Sequence, residues 1–187
     1  QTLADTFGRV GIDGNKQVVS YDAHGGMYAA RLWWLLRWLG HDAVAVLDGG
    51  LQAWIDAQQP LTAAPPAIRP TRFAAQPRPM HLDVETLRAN LHRPELCIVD
   101  ARAPDRFRGE NETLDSRAGH IPGARNYFFQ RNLSDDKTFK SPDELRAQVQ
   151  SSAQGTRQEL GGNFAQLQQA AAGQSGAHAG DGAAAAR

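Results

Sequence analysis

The sequence predicts an α/β fold in which a parallel sheet is flanked by helices, distributed over two units. Three observations predict it. Short apolar, β-branched runs end in an acidic residue and a turn, and patterns of helical period alternate with them. The alternation recurs on both sides of a proline-rich stretch. All four tryptophans, Trp33, Trp34, Trp38 and Trp54, lie on one side of that stretch, so the two sides differ in composition.

In the first unit, residues 1–60, the run Gln17-Val-Val-Ser-Tyr-Asp22 reads as a strand that turns at Gly25-Gly26. Met27 to Leu39 follows with helical period, placing Met27, Ala30, Trp34 and Trp38 on one face and Arg31 and Arg37 on its flank. Gly40 stops this helix. Ala43 to Leu47 is a second strand of buried type, and Asp48-Gly49-Gly50 turns the chain into a short amphipathic helix, Leu51 to Ala57, which ends before Pro60. Residues 61–80 form a linker. Pro65, Pro66, Pro70, Pro77 and Pro79 alternate there with Arg69, Arg72 and Arg78, a composition that favours extended chain over helix.

In the second unit, residues 81–150, Asp83 is placed to cap a helix over Leu82 to Leu91 whose stripe is Val84, Leu87 and Leu91. Leu96-Cys-Ile-Val99 is a buried-type strand ending in Asp100-Ala-Arg102. Arg106, Arg108, Glu110, Glu112, Asp115 and Arg117 then crowd a loop without periodicity. Gly119-His-Ile-Pro-Gly-Ala124 closes that loop with restricted backbone geometry. Ser141-Pro142-Asp143-Glu144 combines an N-cap, a proline at the first helical position and the acid of a capping box, and Leu145 and Val149 mark that helix's buried face. Residues 151–187 lack Val, Ile, Tyr, Trp and Cys and are rich in Ala, Gly, Gln and Ser. This tail is predicted to be disordered, with a short helix around Asn163 to Ala172.

Composition narrows the functions open to the chain. A formal net charge of +0 gives no reason to expect nucleic acid or an anionic membrane as partner. Its apolar runs are too short to span a bilayer. One cysteine, Cys97, excludes an internal disulfide and fits a cytoplasmic location. The chain begins on Gln1 rather than Met, without a basic and apolar leader, and is expected to be a fragment.

Candidate chemistry is sparse. Cys97, flanked by Leu96 and Ile98 within a predicted strand, reads as an inert core thiol. His120, beside Pro122, reads as a turn-holding histidine rather than a general base. His24, His41, His81, His92, His120 and His178 show no metal-ligand spacing, and no metal or cofactor is expected. The tryptophans read as core. Gly25-Gly26 joins a strand end to a helix start, where α/β folds bind anions, but Asp22 at that turn is itself negative.

Several motifs together resemble the two-domain rhodanese family of sulfurtransferases, of the thiosulfate or 3-mercaptopyruvate kind. They are Val18-Val-Ser-Tyr-Asp22 with Ala30-Arg-Leu-Trp-Trp34, Gly40-His41, Val46-Leu-Asp-Gly-Gly50 with Trp54, Val99-Asp-Ala-Arg102, Arg106-Phe-Arg-Gly109 and Gly119-His-Ile-Pro-Gly-Ala124. The resemblance implies incomplete tandem domains: residues 1–60 match the second half of the inactive amino-terminal domain and 81–150 the first half of the catalytic carboxy-terminal one. It implies ping-pong transfer of sulfane sulfur from thiosulfate or 3-mercaptopyruvate to a thiophilic acceptor through a cysteine persulfide, with no metal. The family's cysteine follows the helix that here starts near Ser141, and this sequence has no cysteine after Cys97. The chain is therefore expected to be inactive as written.

By the same resemblance Arg106 is the substrate-binding residue, its guanidinium pairing with the donor's anionic group. Arg117 is an ambiguous match to a second such arginine, and Asp22 stands where the other domain carries its nucleophile. A small-molecule sulfur donor such as thiosulfate is the expected partner. Two alternatives follow: a frameshifted terminus beyond about residue 150–160, and a non-catalytic rhodanese-like module that binds an anion or a protein. The two half-domains are complementary, which raises one hybrid rhodanese-like domain, paired across the Pro60 to Pro79 linker, as a way to cover their open edges.

Overall fold

A computed structural model of the chain describes residues 2–93 and 95–151. It divides into two units, Gln1–Lys140 and Ser141–Arg187. The first contains α1 (Leu3–Arg9), β1 (Val18–Ser20), α2 (Met27–Trp38), β2 (Val44–Val46), α3 (Gly50–Asp56), α4 (Val84–Asn90), β3 (Val99–Asp100), α5 (Pro104–Arg108), β4 (Arg125–Asn126) and a 3-10 turn at Phe129–Asn132. No helix among the described residues is long and apolar enough to cross a membrane.

β1 and β2 are parallel, with Val18 opposite Val44 and Ser20 opposite Val46. β3 and β4 are parallel as well, with Val99 opposite Arg125. Among the described residues the two strand pairs are separate sheets and no continuous sheet joins them, yet both halves lie within the one compact unit Gln1–Lys140. They meet instead through a turn of the second half: Leu133 bridges Phe139, and the Phe139 N–H donates to Asp48 Oδ1 at 2.8 Å in the turn after β2.

The core lies in the first half, built from Phe7, Leu36, Leu39, Val44 and Phe73, with Leu3, Ile12, Val18, Leu32, Leu35 and Trp38 packed around it. α1 was not expected from the sequence because its seven residues span only two turns. A capping box starts it: the Thr2 N–H donates to Asp5 Oδ2 at 3.0 Å and the Asp5 N–H donates to Thr2 Oγ1 at 3.2 Å.

α2 buries a different stripe from the one its tryptophans indicate. Ala29, Leu36 and, just past the helix, Leu39 are buried, whereas Met27 is 44% exposed and Ala30 is exposed. The helix is apolar on nearly every side, so its period alone cannot select a face, and contact with Phe7 and Phe73 does so. Trp34 and Trp38 stack with centroids 5.7 Å apart on its flank, with Arg31 over the Trp34 ring. α2 ends at Gly40 in a Schellman arrangement, the His41 N–H donating to Leu36 O at 2.9 Å and the Gly40 N–H to Arg37 O at 3.1 Å. Gly40 has φ +91°, and a Cβ there would lie 2.8 Å from Gln76 O, so both conformation and space require glycine.

Gln76 belongs to the proline-rich segment, which is extended but tied down. The Thr71 N–H donates to Gly8 O, the Gln76 N–H to Leu39 O and the Arg78 N–H to Trp38 O, all at 2.8–2.9 Å. Thr71 Oγ1 donates to Ile12 O at 2.9 Å. Phe73 inserts between Phe7 and His41, edge-on to the Phe7 ring at 5.5 Å. Arg78 forks onto Asp42 at 2.8 and 2.7 Å, and this hydrogen bonding holds the Asp42 carboxyl at about 2. Residues 71–78 thus strap the ends of α1 and α2 together.

β3 is shorter than the apolar run implied, and Cys97 lies before it and is exposed, not buried in a strand. A parallel strand buries its residues only when elements cover both faces. Here β3 pairs with β4 alone among the described residues, and Val99 within it is 54% exposed.

α4 starts where the sequence places its cap, with the Thr86 N–H donating to Asp83 Oδ1 at 2.7 Å. In the second unit the helical run begins at 142, and the capping box is complete: the Ser141 N–H donates to Glu144 Oε2 at 3.0 Å and the Glu144 N–H to Ser141 Oγ at 3.3 Å. The tail beyond 151, including the short helix expected around Asn163 to Ala172, lies outside the described residues.

Candidate anion-binding site

The carboxyl end of β3 starts the site. Asp100 ends the strand and accepts the backbone N–H of Arg102 at 2.9 Å, a tight Asx turn. The same carboxylate receives Arg102 Nε at 3.0 and 3.1 Å and Nη2 at 2.6 Å. Asn126 on β4 fastens this turn by donating Nδ2 to Asp100 O at 3.1 Å and to Arg102 O at 2.7 Å. α5 then begins with Pro104 in its first turn, carries Arg106, and stops at Gly109 in the left-handed conformation.

The charged loop after Gly109 folds back beneath these arginines. Glu112, whose side chain is only 2% exposed, receives Arg106 Nε at 3.1 Å and Arg106 Nη2 at 2.9 Å to each oxygen. It also receives Arg102 Nη1 at 3.1 Å and the backbone N–H groups of Leu114 and Asp115 at 2.9 and 3.0 Å. Those backbone donors first, and Arg106 after them, outweigh desolvation and hold the Glu112 carboxyl at about 2. The sign follows from linkage: its contribution to stability is present above the ordinary glutamate pKa of 4.5 and is lost as pH falls through about 2. Arg102 and Arg106 are therefore clamped throughout the neutral range. Each remains about a quarter exposed, at 26% and 25%.

Asp115 is the outermost member, 60% exposed, with Oδ2 at 3.3 Å from Arg106 Nη2 and 3.6 Å from Arg102 Nη1. Arg102 Nη2 also donates to Gly119 O at 2.6 Å, which ties the loop's end to its beginning. His120 fulfils the turn-holding role read from the sequence: its ring stacks on Phe107 at 3.7 Å and its Nδ1 lies 2.8 Å from Phe107 O. A carbonyl only accepts, so Nδ1 carries the proton.

Arg106 thus lies at the carboxyl end of a parallel strand, where α/β folds place ligands. Arg117 is exposed on the same loop. Sequence reasoning missed Arg102 as a second site arginine and Glu112 as the buried clamp. The signal for Arg102 was present in Asp100-Ala-Arg102, an acid and an arginine two residues apart at a strand's end. For Glu112 there was none, because one acid among many in an aperiodic loop does not reveal its burial.

The turn after β1 is a cradle already filled from within. Asp22 Oδ1 accepts the N–H groups of His24 and Gly26 at 2.7 and 2.9 Å, and Oδ2 those of Tyr28 and Ala29 at 2.9 Å each. Desolvation resists its ionisation most strongly, yet the four backbone bonds together lower the Asp22 pKa. Asp22 is itself the anion at the amino end of α2.

The profile of the rhodanese-like domain matches residues 1–57 and 83–167, flanking the strap. The chain is 48% identical over 137 residues to a probable 3-mercaptopyruvate sulfurtransferase of Pseudomonas aeruginosa, covering 72% of this chain and 48% of the relative. It is 41% identical over 149 residues to human 3-mercaptopyruvate sulfurtransferase, covering 77% and 50%, and 37% identical over 151 residues to bovine thiosulfate sulfurtransferase, covering 78% and 51%. Among solved structures, the Escherichia coli 3-mercaptopyruvate sulfotransferase SseA superposes with TM-score 0.67 at 32% identity, over 76% of this chain and 54% of that one. The Leishmania major 3-mercaptopyruvate sulfurtransferase superposes with TM-score 0.65 at 31% identity, over 80% and 42%. The chain spans about half the length of these relatives. With its α/β architecture, parallel strand pairs and a domain profile that covers most of its length, the chain belongs to the rhodanese family.

Proposed function

We propose that this chain serves rhodanese-type sulfur transfer by binding the anionic group of a small sulfur donor, thiosulfate or 3-mercaptopyruvate, at Arg106. The observation that carries the reading is the convergence of Arg106 and Arg102, each partly exposed, on one buried carboxylate at the end of β3. Glu112 takes the Nε and Nη2 positions of Arg106 and fixes the guanidinium plane, so the remaining Nη1 side is presented in a set orientation. A planar, permanently charged fork of this kind suits a sulfonate-like or carboxylate oxyanion. The names of the relatives, which include both thiosulfate and 3-mercaptopyruvate sulfurtransferases, support the donor class.

Persulfide chemistry needs a thiolate activated by a helix terminus or a nearby cation. Cys97 precedes the amino end of β3, whereas Arg102 and Arg106 follow its carboxyl end. No cysteine follows Cys97 in the 187 residues, and on this reading the chain alone binds a donor without turning it over. A second reading, a non-catalytic anion-binding module of the same fold, needs only the arginine pair and no thiol. A cytoplasmic location accords with a single free thiol.

Calorimetric titration with thiosulfate tests the reading: the wild-type chain binds saturably, and Arg106→Ala loses that binding by at least tenfold in affinity, about 1.4 kcal/mol. Equal affinity in the variant would remove Arg106 from the site. A thiosulfate:cyanide sulfurtransferase assay is expected to show no turnover for the wild type or Cys97→Ser, and turnover abolished by Cys97→Ser would make Cys97 the working thiol.

A further inference from the structure

Building on Arg106 as the donor-binding residue, we propose that Asp115 is a specificity-determining residue that biases the site toward monoanionic donors and against dianionic ones. Formal charge is the first ground. The two arginines share the site with three carboxylates, Asp100, Glu112 and Asp115, so the cluster carries one more negative than positive charge. A dianion therefore approaches arginines whose charge is already more than compensated.

The carboxylates are not equivalent. Asp100 is held by Arg102 through three short contacts and by the Arg102 backbone N–H. Glu112 is buried and receives two guanidinium groups and two backbone N–H groups. Neither can withdraw without dismantling the loop. Asp115 reaches the arginines through the single oxygen Oδ2, at longer range, from a side chain that is mostly exposed. Its oxygen lies beside Arg106 Nη2, on the same guanidinium whose Nη1 side is left for the donor.

The consequence is differential. A fixed negative charge several ångströms from a bound anion repels a dianion about twice as strongly as a monoanion, because the Coulomb energy is proportional to the ligand's charge. Removing that charge should raise affinity for a dianion by the square of the factor for a monoanion. At surface dielectric and low salt this is about tenfold against about threefold. Thiosulfate is a dianion at neutral pH, and 3-mercaptopyruvate is predominantly a carboxylate monoanion. Asp115 thus shifts donor choice toward the latter.

Calorimetric titration of the 187-residue chain with thiosulfate and with 3-mercaptopyruvate, at neutral pH and low, fixed ionic strength, tests this. Asp115→Asn is expected to bind thiosulfate about tenfold more tightly and 3-mercaptopyruvate about threefold more tightly, with Asp115→Glu close to wild type. Urea melts of both variants establish that the fold is retained, as the position is exposed. Equal tightening toward both ligands would overturn the proposal by showing a steric origin, and so would an Asp115→Glu variant that behaves like Asp115→Asn. Unchanged affinities in Asp115→Asn alongside loss of binding in Arg106→Ala would overturn the role of Asp115 and leave the donor site standing. No binding of either ligand to wild type or Asp115→Asn would overturn both.

Discussion

Phe73→Ala is expected to lower the free energy of unfolding by about 3–4 kcal/mol, the cost of removing a buried phenylalanine from a small core. Phe73 is 8% exposed and is one of five residues in the buried cluster, although it comes from the proline-rich segment. Its loss removes the edge-on contact with Phe7 and the packing against His41. It also frees the strap whose backbone N–H groups bond to Gly8, Leu39 and Trp38. The expected observation is a lower urea midpoint at nearly unchanged slope. A loss below about 1 kcal/mol would show that the strap rests on the first half without supporting it.

Asp22→Ala is expected to cost about 3 kcal/mol, because four backbone N–H groups lose a charged acceptor at once. Asp22→Asn should retain only part of that stability: its amide oxygen can replace one carboxylate oxygen, but its NH2 group faces two further donors. The pH dependence provides a second check. Because the folded-state pKa of Asp22 is lowered, its contribution is complete above the unfolded value of 3.8 and is lost as pH falls below it. Wild type should therefore lose stability on acidification more steeply than Asp22→Ala. Parallel pH profiles for the two proteins would rule out the carboxylate as the keystone of this turn.

Which features can be read from a sequence depends here on how far apart the interacting residues are. Asp83 and Ser141 announce their helices because each cap closes within three residues, through the N–H groups of Thr86 and Glu144. The parallel α/β character is likewise visible, since the crossover from β1 through α2 to β2 is written as one strand, one helix and one strand. The strap is not. It depends on Thr71 meeting Ile12, 59 residues away, and a proline-rich composition gives no hint of that destination. The length of β3 and the exposure of Cys97 are tertiary in the same sense, being set by what covers the strand. At the site, Arg106 is legible through its motif. Its partner Glu112 becomes distinct from Glu110 only once the loop folds: Glu112 receives Arg102 and Arg106 from within, whereas Glu110 pairs with Arg108 on the surface.

The strap also makes the molecule report its own opening. Trypsin cuts after arginine but resists Arg–Pro bonds, and Arg69 and Arg78 are each followed by proline. Of the three arginines in residues 61–80, only Arg72 is followed by another residue, and that residue is the buried Phe73. A protease must thread several extended residues through its cleft, which the strap's hydrogen bonds to Gly8 and Leu39 forbid while the first half stays closed. Scission at Arg72–Phe73 therefore measures how often Phe73 leaves its pocket, and the rate of that one cut reads local stability without denaturant.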